Sequence, residues 1–304
     1  MLKNQTVLVT GAAGRVAFPI ARKLAEGNKV YGLARFRNPA DREKLSAQGI
    51  EPLQKDLANA DFADLPADVT HIFHAGAAIT SEASQDWHHA LEVNAQASGR
   101  LMSRYRSLKG FVYCSTGSQY DYRGMQPLRE SDRPGLHSHN YSLSKIAGEA
   151  VVNFCSAEWR IPTTIIRIFS TYGPSGGAPY DRMKAIMEGR EVVLYPEKQN
   201  NYNPIFEDDY VRHGIRALEV ARTPALTVNW AGSETVSAEE YCAYIGRLLG
   251  KTPQIVYSDK ARWPIWPDVT LMHEVLGRTQ VHWKDGFRRM VAASYPDIEL
   301  SKVE

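Results

Sequence analysis

The sequence predicts a doubly wound parallel α/β sheet, the Rossmann fold, followed by a smaller C-terminal lobe. Short runs of apolar and β-branched residues alternate with longer amphipathic stretches in the first half of the chain, which is typical of a parallel sheet with helices on both faces. A glycine-rich turn directly follows the first of these runs. With 304 residues, the chain can bury the core of one large domain or of two modest ones.

The same alternation predicts the individual elements. The predicted strands are residues 6–10, 29–34, 71–75, 110–115 and 163–169. The predicted helices are residues 14–26, 39–48, 84–107 and 140–160. Because such sheets bind ligands at the carboxyl ends of their strands, the residues just after each strand are the first candidates for a functional site.

The alternation stops after Phe169, where residues 170–179 are rich in Gly, Pro, Ser and Thr and predict a loop. A later run, ALTVNWA (225–231), is apolar enough to return to the main sheet. We therefore expect a dinucleotide-binding Rossmann domain at residues 1–172, joined by 204–231. The substrate-binding lobe is expected at residues 173–304.

Composition argues against several other classes of protein. The chain is 43% hydrophobic and 23% charged, with a net charge of +2, so it offers no basic surface typical of partners of nucleic acid or anionic lipid. Its three cysteines are far apart and form no metal-ligand pattern. Because a strand-like run begins directly after MLKNQ, we expect no signal peptide, and no apolar stretch approaches the ~20 residues of a membrane span. We expect a cytoplasmic protein without a metal, nucleic-acid or membrane partner.

The turn after the first predicted strand has the residues of a phosphate-binding loop. In TVLVTGAAGRVA (6–17), Gly11 permits a tight turn, Gly14 lets the backbone approach a pyrophosphate, and Ala17 is small enough for helix-on-strand packing. The helix that follows offers free N–H groups and the positive end of its dipole. Because a strand precedes this turn and a helix follows it, the turn predicts dinucleotide binding rather than a simple glycine turn.

A tyrosine and a lysine four residues apart suggest acid–base chemistry. Tyr141 and Lys145 in NYSLSKIAGE (140–149) share one face of a predicted helix. A nearby ammonium lowers the pKa of a tyrosine from its reference of about 10 and makes it a usable general acid or base. Thr116 follows the strand FVYCS (111–115). Each feature alone is common on helix surfaces or in turns, but their combination with the glycine loop indicates an enzyme.

With these motifs in this order, the sequence resembles the extended short-chain dehydrogenase/reductase superfamily, in particular its NAD-dependent epimerases and dehydratases. The resemblance covers nearly the whole chain. Further stretches similar to motifs of that family are KDL (55–57), HAGAA (74–78), VNAQASG (93–99), RIFSTYGP (167–174) and FEDDYV (206–211).

The resemblance implies roles for individual residues. Tyr141 would be the general acid or base, Lys145 would lower its pKa and hold ribose hydroxyls of the cofactor, and Thr116 would hydrogen-bond the reacting oxygen. Asn94 would support the helix and a proton-relay water. The cofactor contacts implied by the resemblance come from Thr10, Gly11, Ala13, Gly14, Arg15, Val16, Asp56, Leu57, His74, Ala75, Gly76, Ala77, Asn94, Tyr141, Lys145 and Ser170.

The end of the second predicted strand, VYGLARFRNP (30–39), predicts a preference for NADP over NAD. Ala34 stands where NAD-preferring members of the family carry the Asp or Glu that reads the ribose hydroxyls. Without that carboxylate, Arg35 can bind a 2′-phosphate, with Arg15 or Arg37 as a second cation. NAD stays possible, since Arg37 in particular can be ordinary surface charge.

Three positions depart from the nucleotide-sugar members of the family. The loop asparagine is replaced by Ser170, the diphosphate-binding arginine by Tyr202, and the acidic pair of the dehydratases by Gly117 and Ser118. We expect no compensating cation in residues 175–204. Aromatic and histidine side chains are expected at the pocket rim instead: Trp87, His88, His89, Tyr120, Tyr122, His137, His139, Tyr172 and Tyr202.

These departures favour a small polar or aromatic substrate. The first hypothesis is therefore an oxidoreductase that interconverts a carbonyl and an alcohol. The second is a sugar or nucleotide-sugar epimerase with retained cofactor, and the third is a non-catalytic cofactor-sensing regulator. The intact Thr116, Tyr141 and Lys145 argue against the regulator, because a sensor does not need them.

The resemblance also implies a homodimer through the helices near 84–107 and 140–160. Ile146, Ala150 and Phe154 recur at intervals of four residues and could form an apolar seam between two copies. The alternative is that this stripe covers the sheet of its own chain.

Overall fold

The computed structural model describes residues 2–58, 61–135, 139–196, 199–298 and 300, without the side chain of His139. The chain forms two units. The first consists of Met1–Asp121, Glu130–Ile168 and Val211–Val228, and the second of Tyr122–Arg129, Phe169–Tyr210 and Asn229–Glu304. The predicted division differs from these units, because residues 122–129, 169–172, 204–210 and 229–231 belong to the second.

The strands are β1 (Thr6–Thr10), β2 (Lys29–Ala34), β3 (Ile50–Gln54), β4 (His71–His74), β5 (Gly110–Thr116), β6 (Thr163–Ile168), β7 (Ser170–Tyr172), β8 (Glu191–Leu194), β9 (Asn201–Tyr202), β10 (Pro204–Phe206), β11 (Leu226–Trp230), β12 (Val236–Ser237) and β13 (Gln254–Tyr257).

The α-helices are α1 (Ala17–Ala25), α2 (Pro39–Ser46), α3 (Thr80–Gln85), α4 (Trp87–Leu91), α5 (Ala97–Arg104), α6 (His139–Trp159), α7 (Ala178–Met187), α8 (Glu207–Glu219), α9 (Ala238–Leu249), α10 (Thr270–Val275) and α11 (Trp283–Ser294).

A seven-stranded sheet forms the framework of the first unit, in the order β11-β6-β5-β4-β1-β2-β3. Strands β1 to β6 pair in parallel. This confirms the predicted Rossmann-like α/β fold. The position of β11 beside β6 also confirms that residues 225–231 return to the main sheet. Every residue of β5 is buried, as expected for a central parallel strand covered on both faces.

Strand β3, at the edge of the sheet, was not predicted from the sequence. Its residues, IEPLQ, lack a run of β-branched side chains and include Pro52. Proline cannot donate a ladder hydrogen bond and is tolerated mainly in edge strands. The edge position of β3 therefore explains both its proline and its weak sequence signal.

The prediction of a single helix at residues 84–107 is wrong, because the helix is interrupted at Asp86. This residue has extended backbone angles, and its Oδ1 accepts from the backbone N–H groups of His88 at 2.9 Å and His89 at 3.1 Å. Asp86 thus caps the start of α4. A π-helical turn at Glu92–Gln96 then joins α4 to α5.

The second unit contains three pairs of short strands, β7–β10, β8–β13 and β9–β12. Its core is aromatic: Phe287 stacks on Tyr172, with ring centroids 4.5 Å apart, and on Tyr241 at 5.1 Å. The predicted loop at 170–179 is wrong at both ends, because its first three residues form β7 and its last two begin α7. Among the described residues, no helix combines the length and apolar character needed to cross a membrane.

Candidate active site

The glycine loop after β1 leaves its backbone exposed for close approach. Gly11 has a φ of +65°, and a Cβ at this position would lie 2.8 Å from the Cα of Gly76. A larger residue would therefore be strained and would also push away the loop after β4. The N–H of Gly14 donates to the carbonyl of Gly11 at 2.8 Å, and Gly14 itself is exposed. This loop and the start of α1 can receive phosphate groups.

A buried chain of hydrogen bonds links the glycine loop after β1 to the loop after β4. The Thr10 hydroxyl accepts from the N–H of Gly76 at 3.0 Å and lies 2.6 Å from Nδ1 of His74, whose Nε2 lies 3.0 Å from Ser98 Oγ. Burial and the charge of Lys145 lower the pKa of His74 to about 3, so its ring is neutral. Thr10 and His74 are fully engaged within the protein. We therefore assign them a role in positioning the loops after β1 and β4, and their contact with a cofactor stays a prediction.

Asn94 lies in the π-helical turn and joins three elements. Its Oδ1 accepts from the N–H of Ala78 at 2.8 Å, and its Nδ2 donates to the carbonyl of Ala78 at 2.9 Å and to Ser144 Oγ at 2.9 Å. The backbone carbonyl of Asn94 accepts from the hydroxyl of Tyr113 at 2.6 Å. Because both amide hydrogens are used, Asn94 holds the loop after β4 against α6 and is not free to donate to a water or a cofactor.

The predicted acid–base residues lie on and around the start of α6. Tyr141 is half-buried, whereas Lys145 is 1% exposed, with its Nζ 4.2 Å from the centre of the Tyr113 ring. Thr116 ends β5, and its hydroxyl accepts from the N–H of Ser118 at 3.1 Å. The carbonyl of Ser118 accepts in turn from the hydroxyl of Ser142 at 2.8 Å on α6. The structure thus brings the strand end that carries Thr116 to the turn of α6 that carries Tyr141.

Lys145 is held at an energetic cost. Its burial lowers its pKa from 10.5 to about 8, although Cys114 and Glu149 act in the opposite direction. In the part of the chain that the structure describes, its ammonium forms neither a hydrogen bond nor an ion pair. A buried cation without such a partner is typical of a functional site rather than of a structural one.

Lys145→Met is expected to stabilise the folded state at neutral pH by about 3 kcal/mol, because each unit of pKa shift corresponds to about 1.36 kcal/mol. The pKa of the folded state is the lower one, so protonated Lys145 destabilises the fold at every pH below about 8. This cost disappears as the pH rises towards the value for free lysine. Urea unfolding of both proteins across this range measures the difference.

The matched control is Lys260→Met, which removes an exposed lysine and should leave stability unchanged at every pH. If Lys145→Met were less stable than the wild type at neutral pH, the ammonium would have a compensating partner and its burial would carry no cost.

An ion pair of low exposure lies one helical turn beyond Lys145. Glu149 on α6 accepts from Arg167 on β6 through both oxygens, at 3.0 and 2.7 Å, and the side chains are only 10% and 13% exposed. Gln119 donates to Glu149 at 2.6 Å, and Arg167 also donates to the hydroxyl of Tyr120 at 2.7 Å. This network fixes α6, and therefore Tyr141, against β5 and β6.

The arginines after β2 are engaged by a carboxylate that the sequence analysis missed. Arg35 donates to Oε1 of Glu82 at 3.0 Å, and Arg37 lies 3.6 Å from the same atom. Glu82 is on α3, 47 residues further along the chain than Arg35. No local sequence signal links these positions.

The other predicted cofactor residues have varied environments. Asp56 is exposed and accepts from the N–H of Ala58 at 3.1 Å. Leu57 and Ser170 are buried, the latter in the second unit. The remaining predicted contacts, all half-buried or exposed along the loops after β1 and β4, are Ala13, Arg15, Val16, Ala75 and Ala77.

Several of the expected rim residues are not at a surface. Tyr120 and Tyr172 are 0% and 1% exposed and belong to the packed interior. Trp87 is 58% exposed, while His137 lies outside the described residues. Within those residues, no group of three or more His, Cys, Asp or Glu side chains is arranged to hold a metal ion.

Tyr202 does have a cation beside it, contrary to the expectation for residues 175–204. The guanidinium of Arg182 on α7 donates to the hydroxyl of Tyr202 at 3.3 Å and lies 4.9 Å from the centre of its ring. It also donates to the hydroxyl of Tyr241. Arg182 is half-buried and forms no ion pair within the described part of the chain.

These residues fit a nicotinamide dinucleotide. The turn at Gly11 leaves the backbone of Gly14 exposed just before α1, where phosphates can bind. Lys145 carries an ammonium that the described residues leave without a hydrogen-bond acceptor. Both features suit a ligand with phosphates at one end and a hydroxylated ribose at the other.

The chain is similar to known proteins over most of its length. Residues 7–229 match the model of the NAD dependent epimerase/dehydratase family. The uncharacterized UDP-glucose epimerase YtcB of Bacillus subtilis (strain 168) is 26% identical over 291 residues, which cover 89% of this chain and 91% of that protein. A dTDP-4-dehydro-6-deoxy-D-allose reductase of a Streptomyces species is 26% identical over 283 residues, or 85% of each chain.

The fold is shared with solved structures. A UDP-glucuronic acid 4-epimerase from Bacillus cereus, in complex with UDP-glucuronic acid and NAD, superimposes with a TM-score of 0.82. The alignment covers 96% of this chain and 98% of that one, at 21% identity.

Proposed function

The chain belongs to the NAD dependent epimerase/dehydratase family, and on that premise we propose that it is a nucleotide-sugar epimerase with a retained dinucleotide. It would invert a carbinol carbon of a UDP-hexose or UDP-hexuronate by oxidising and then reducing it. The observation that carries an enzymatic function is the buried Lys145 ammonium, on the same helix face as Tyr141. A non-catalytic sensor has no use for this costly group.

The chain's own residues would bind the substrate oxygen and move its proton. Tyr141 takes the proton of the substrate hydroxyl and later returns it. Thr116 uses an oxygen lone pair to accept from Ser118 and keeps its own proton for the same substrate oxygen. Lys145 favours the phenolate form of Tyr141. When bound, the dinucleotide supplies a hydride acceptor and donor.

Epimerisation is better supported than the net oxidoreduction first predicted from the sequence. Relatives that match most of the chain include a UDP-glucose epimerase, and structures with the same fold hold a UDP sugar and NAD. The second candidate is a sugar reductase, favoured by the similarity to a dTDP-sugar reductase over 85% of the chain.

We propose NAD as the retained cofactor. The predicted NADP preference requires Arg35, with Arg15 or Arg37 as a second cation, to be available for a 2′-phosphate. Glu82 already binds Arg35 and lies 3.6 Å from Arg37, and the dinucleotide in the solved relative is NAD.

The purified protein tests this function without added cofactor. Denaturing it should release a near-stoichiometric amount of dinucleotide, and incubating it with UDP-glucose or UDP-glucuronate should give the C4 epimer by NMR. A protein that carries no dinucleotide and turns over a carbonyl substrate only with added NADPH would instead be the oxidoreductase.

We also propose a homodimer through α6. Of the predicted seam, Ala150 and Phe154 are exposed, the latter by 64%, and Ile146 is half-buried. Leu143 on the same helix is 47% exposed. The exposed positions of this seam therefore do not pack on the chain's own sheet. We expect a second copy of the chain to cover them.

Light scattering at micromolar concentration should give the mass of two chains, and Phe154→Glu should reduce it to one, because a buried unpaired charge opposes association. Met125→Glu is the control, on a residue that is 44% exposed in the second unit. A wild-type mass of one chain would rule out the dimer.

A further inference from the structure

We propose that Glu82 supplies the carboxylate that selects NAD over NADP, in place of the missing one at the end of β2. This rests on the proposed function, because it requires that a dinucleotide binds at the glycine loop. In dinucleotide-binding sheets an Asp or Glu after the second strand hydrogen-bonds the ribose hydroxyls. Here that strand ends in Ala34, and the carboxylate comes from a different element.

The topology places Glu82 at the correct edge of the sheet. Arg35 follows β2, and α3 with Glu82 follows β4. Strand β1 lies between β2 and β4. Because the carboxyl ends of parallel strands lie at one edge, the contact between Arg35 and Glu82 spans the end of β1, where the glycine loop begins. A dinucleotide whose phosphates lie on this loop brings its adenosine ribose to the same region.

The two arginines fix the carboxylate. Arg35 binds Oε1 of Glu82 at 3.0 Å, with the two side chains 32% and 28% exposed, and Arg37 approaches the same oxygen to 3.6 Å. Among the described residues, none donates a hydrogen bond to Oε2 of Glu82. That oxygen can accept from a ribose hydroxyl of NAD.

The same arrangement opposes a 2′-phosphate. The phosphate would meet a like charge at Glu82 and would have to displace the carboxylate from Arg35 before using that arginine. Selectivity of this kind combines an attractive contact for one ligand with a repulsive one for the other. Arg35 and Arg37 are then holders of Glu82 rather than readers of phosphate.

Glu82→Gln tests this proposal, because it keeps the shape of the side chain and removes its charge. Wild type and variant are purified from the same host and denatured, and the NAD and NADP that each protein has retained are quantified. The wild type should retain mainly NAD. The variant should shift the retained NADP-to-NAD ratio by ~10-fold to ~100-fold, the range of one charge-assisted hydrogen bond.

Two further variants make the result specific. Glu43→Gln removes an exposed carboxylate from α2 and should retain the wild-type ratio, although it changes the net charge equally. In Glu82→Gln/Arg35→Gln the gain for NADP should be lost, because Arg35 is the group that Glu82 releases.

Each outcome decides something different. A wild type that retains mainly NADP, or a Glu82→Gln ratio equal to that of the wild type, overturns the role of Glu82 and leaves the proposed function standing. A wild type that retains neither nucleotide overturns the proposed function and this inference with it.

Discussion

Tyr141→Phe is expected to lower turnover of the nucleotide sugar by ~10²–10⁴-fold, the usual contribution of a general acid or base. The variant loses only the phenolic oxygen on a half-buried side chain of α6. The side-chain hydrogen bonds that hold this helix in place involve Ser142, Ser144 and Glu149, so the fold and the amount of retained dinucleotide should be unchanged.

Turnover is measured beside the amount of dinucleotide released on denaturation, which separates loss of chemistry from loss of cofactor. Tyr180→Phe, on a half-buried tyrosine of the second unit, is the matched control and should keep full activity. A Tyr141→Phe protein that turns over at the wild-type rate would show that another group moves the proton.

Arg167→Met is expected to destabilise the protein by about 3–5 kcal/mol, the usual effect of removing one partner of a buried ion pair. Glu149, 10% exposed, would keep the hydrogen bond from Gln119 but lose its ion pair. The double variant Arg167→Met/Glu149→Met should recover most of the loss, because no uncompensated charge then remains.

Urea unfolding of the single and double variants gives the coupling between the two residues. Arg190→Met is the control. The side chains of Arg190 and Glu188 are 58% and 46% exposed, so their ion pair should contribute less than about 1 kcal/mol to stability. If Arg167→Met cost no more than Arg190→Met, the network would not be what fixes α6.

The central strands could be predicted from the sequence because burial on both faces requires a continuous apolar run. GFVYCST of β5 is the clearest case, with every residue buried. The same rule fails at the edge of the sheet, where IEPLQ of β3 has exposed positions and a proline. The break at Asp86 was missed because a side-chain cap inside an amphipathic stretch hardly changes the hydrophobic pattern.

The residues of the candidate site likewise fall into some that could be predicted from the sequence and some that could not. Gly11, Thr116 and the pair Tyr141–Lys145 could be chosen because their chemistry depends on local spacing in one loop or one helix. Glu82 could not, since it lies 47 positions after Arg35 in the chain and meets it only in the folded protein. Arg182 likewise meets Tyr241 across 59 positions. For Arg35 and Arg182 alike, the sequence shows only the neighbouring residues, whereas the partners of the guanidinium are brought close by the tertiary structure.

The most direct test of the account uses a UDP-glucose or UDP-glucuronate that carries deuterium at C4. We expect the C4 epimer to form without added cofactor and to keep its deuterium, because the hydride returns to the carbon that it left. Tyr141→Phe should block this conversion. Turnover that requires added dinucleotide, with the deuterium recovered in that dinucleotide, would contradict the account and identify a net oxidoreductase.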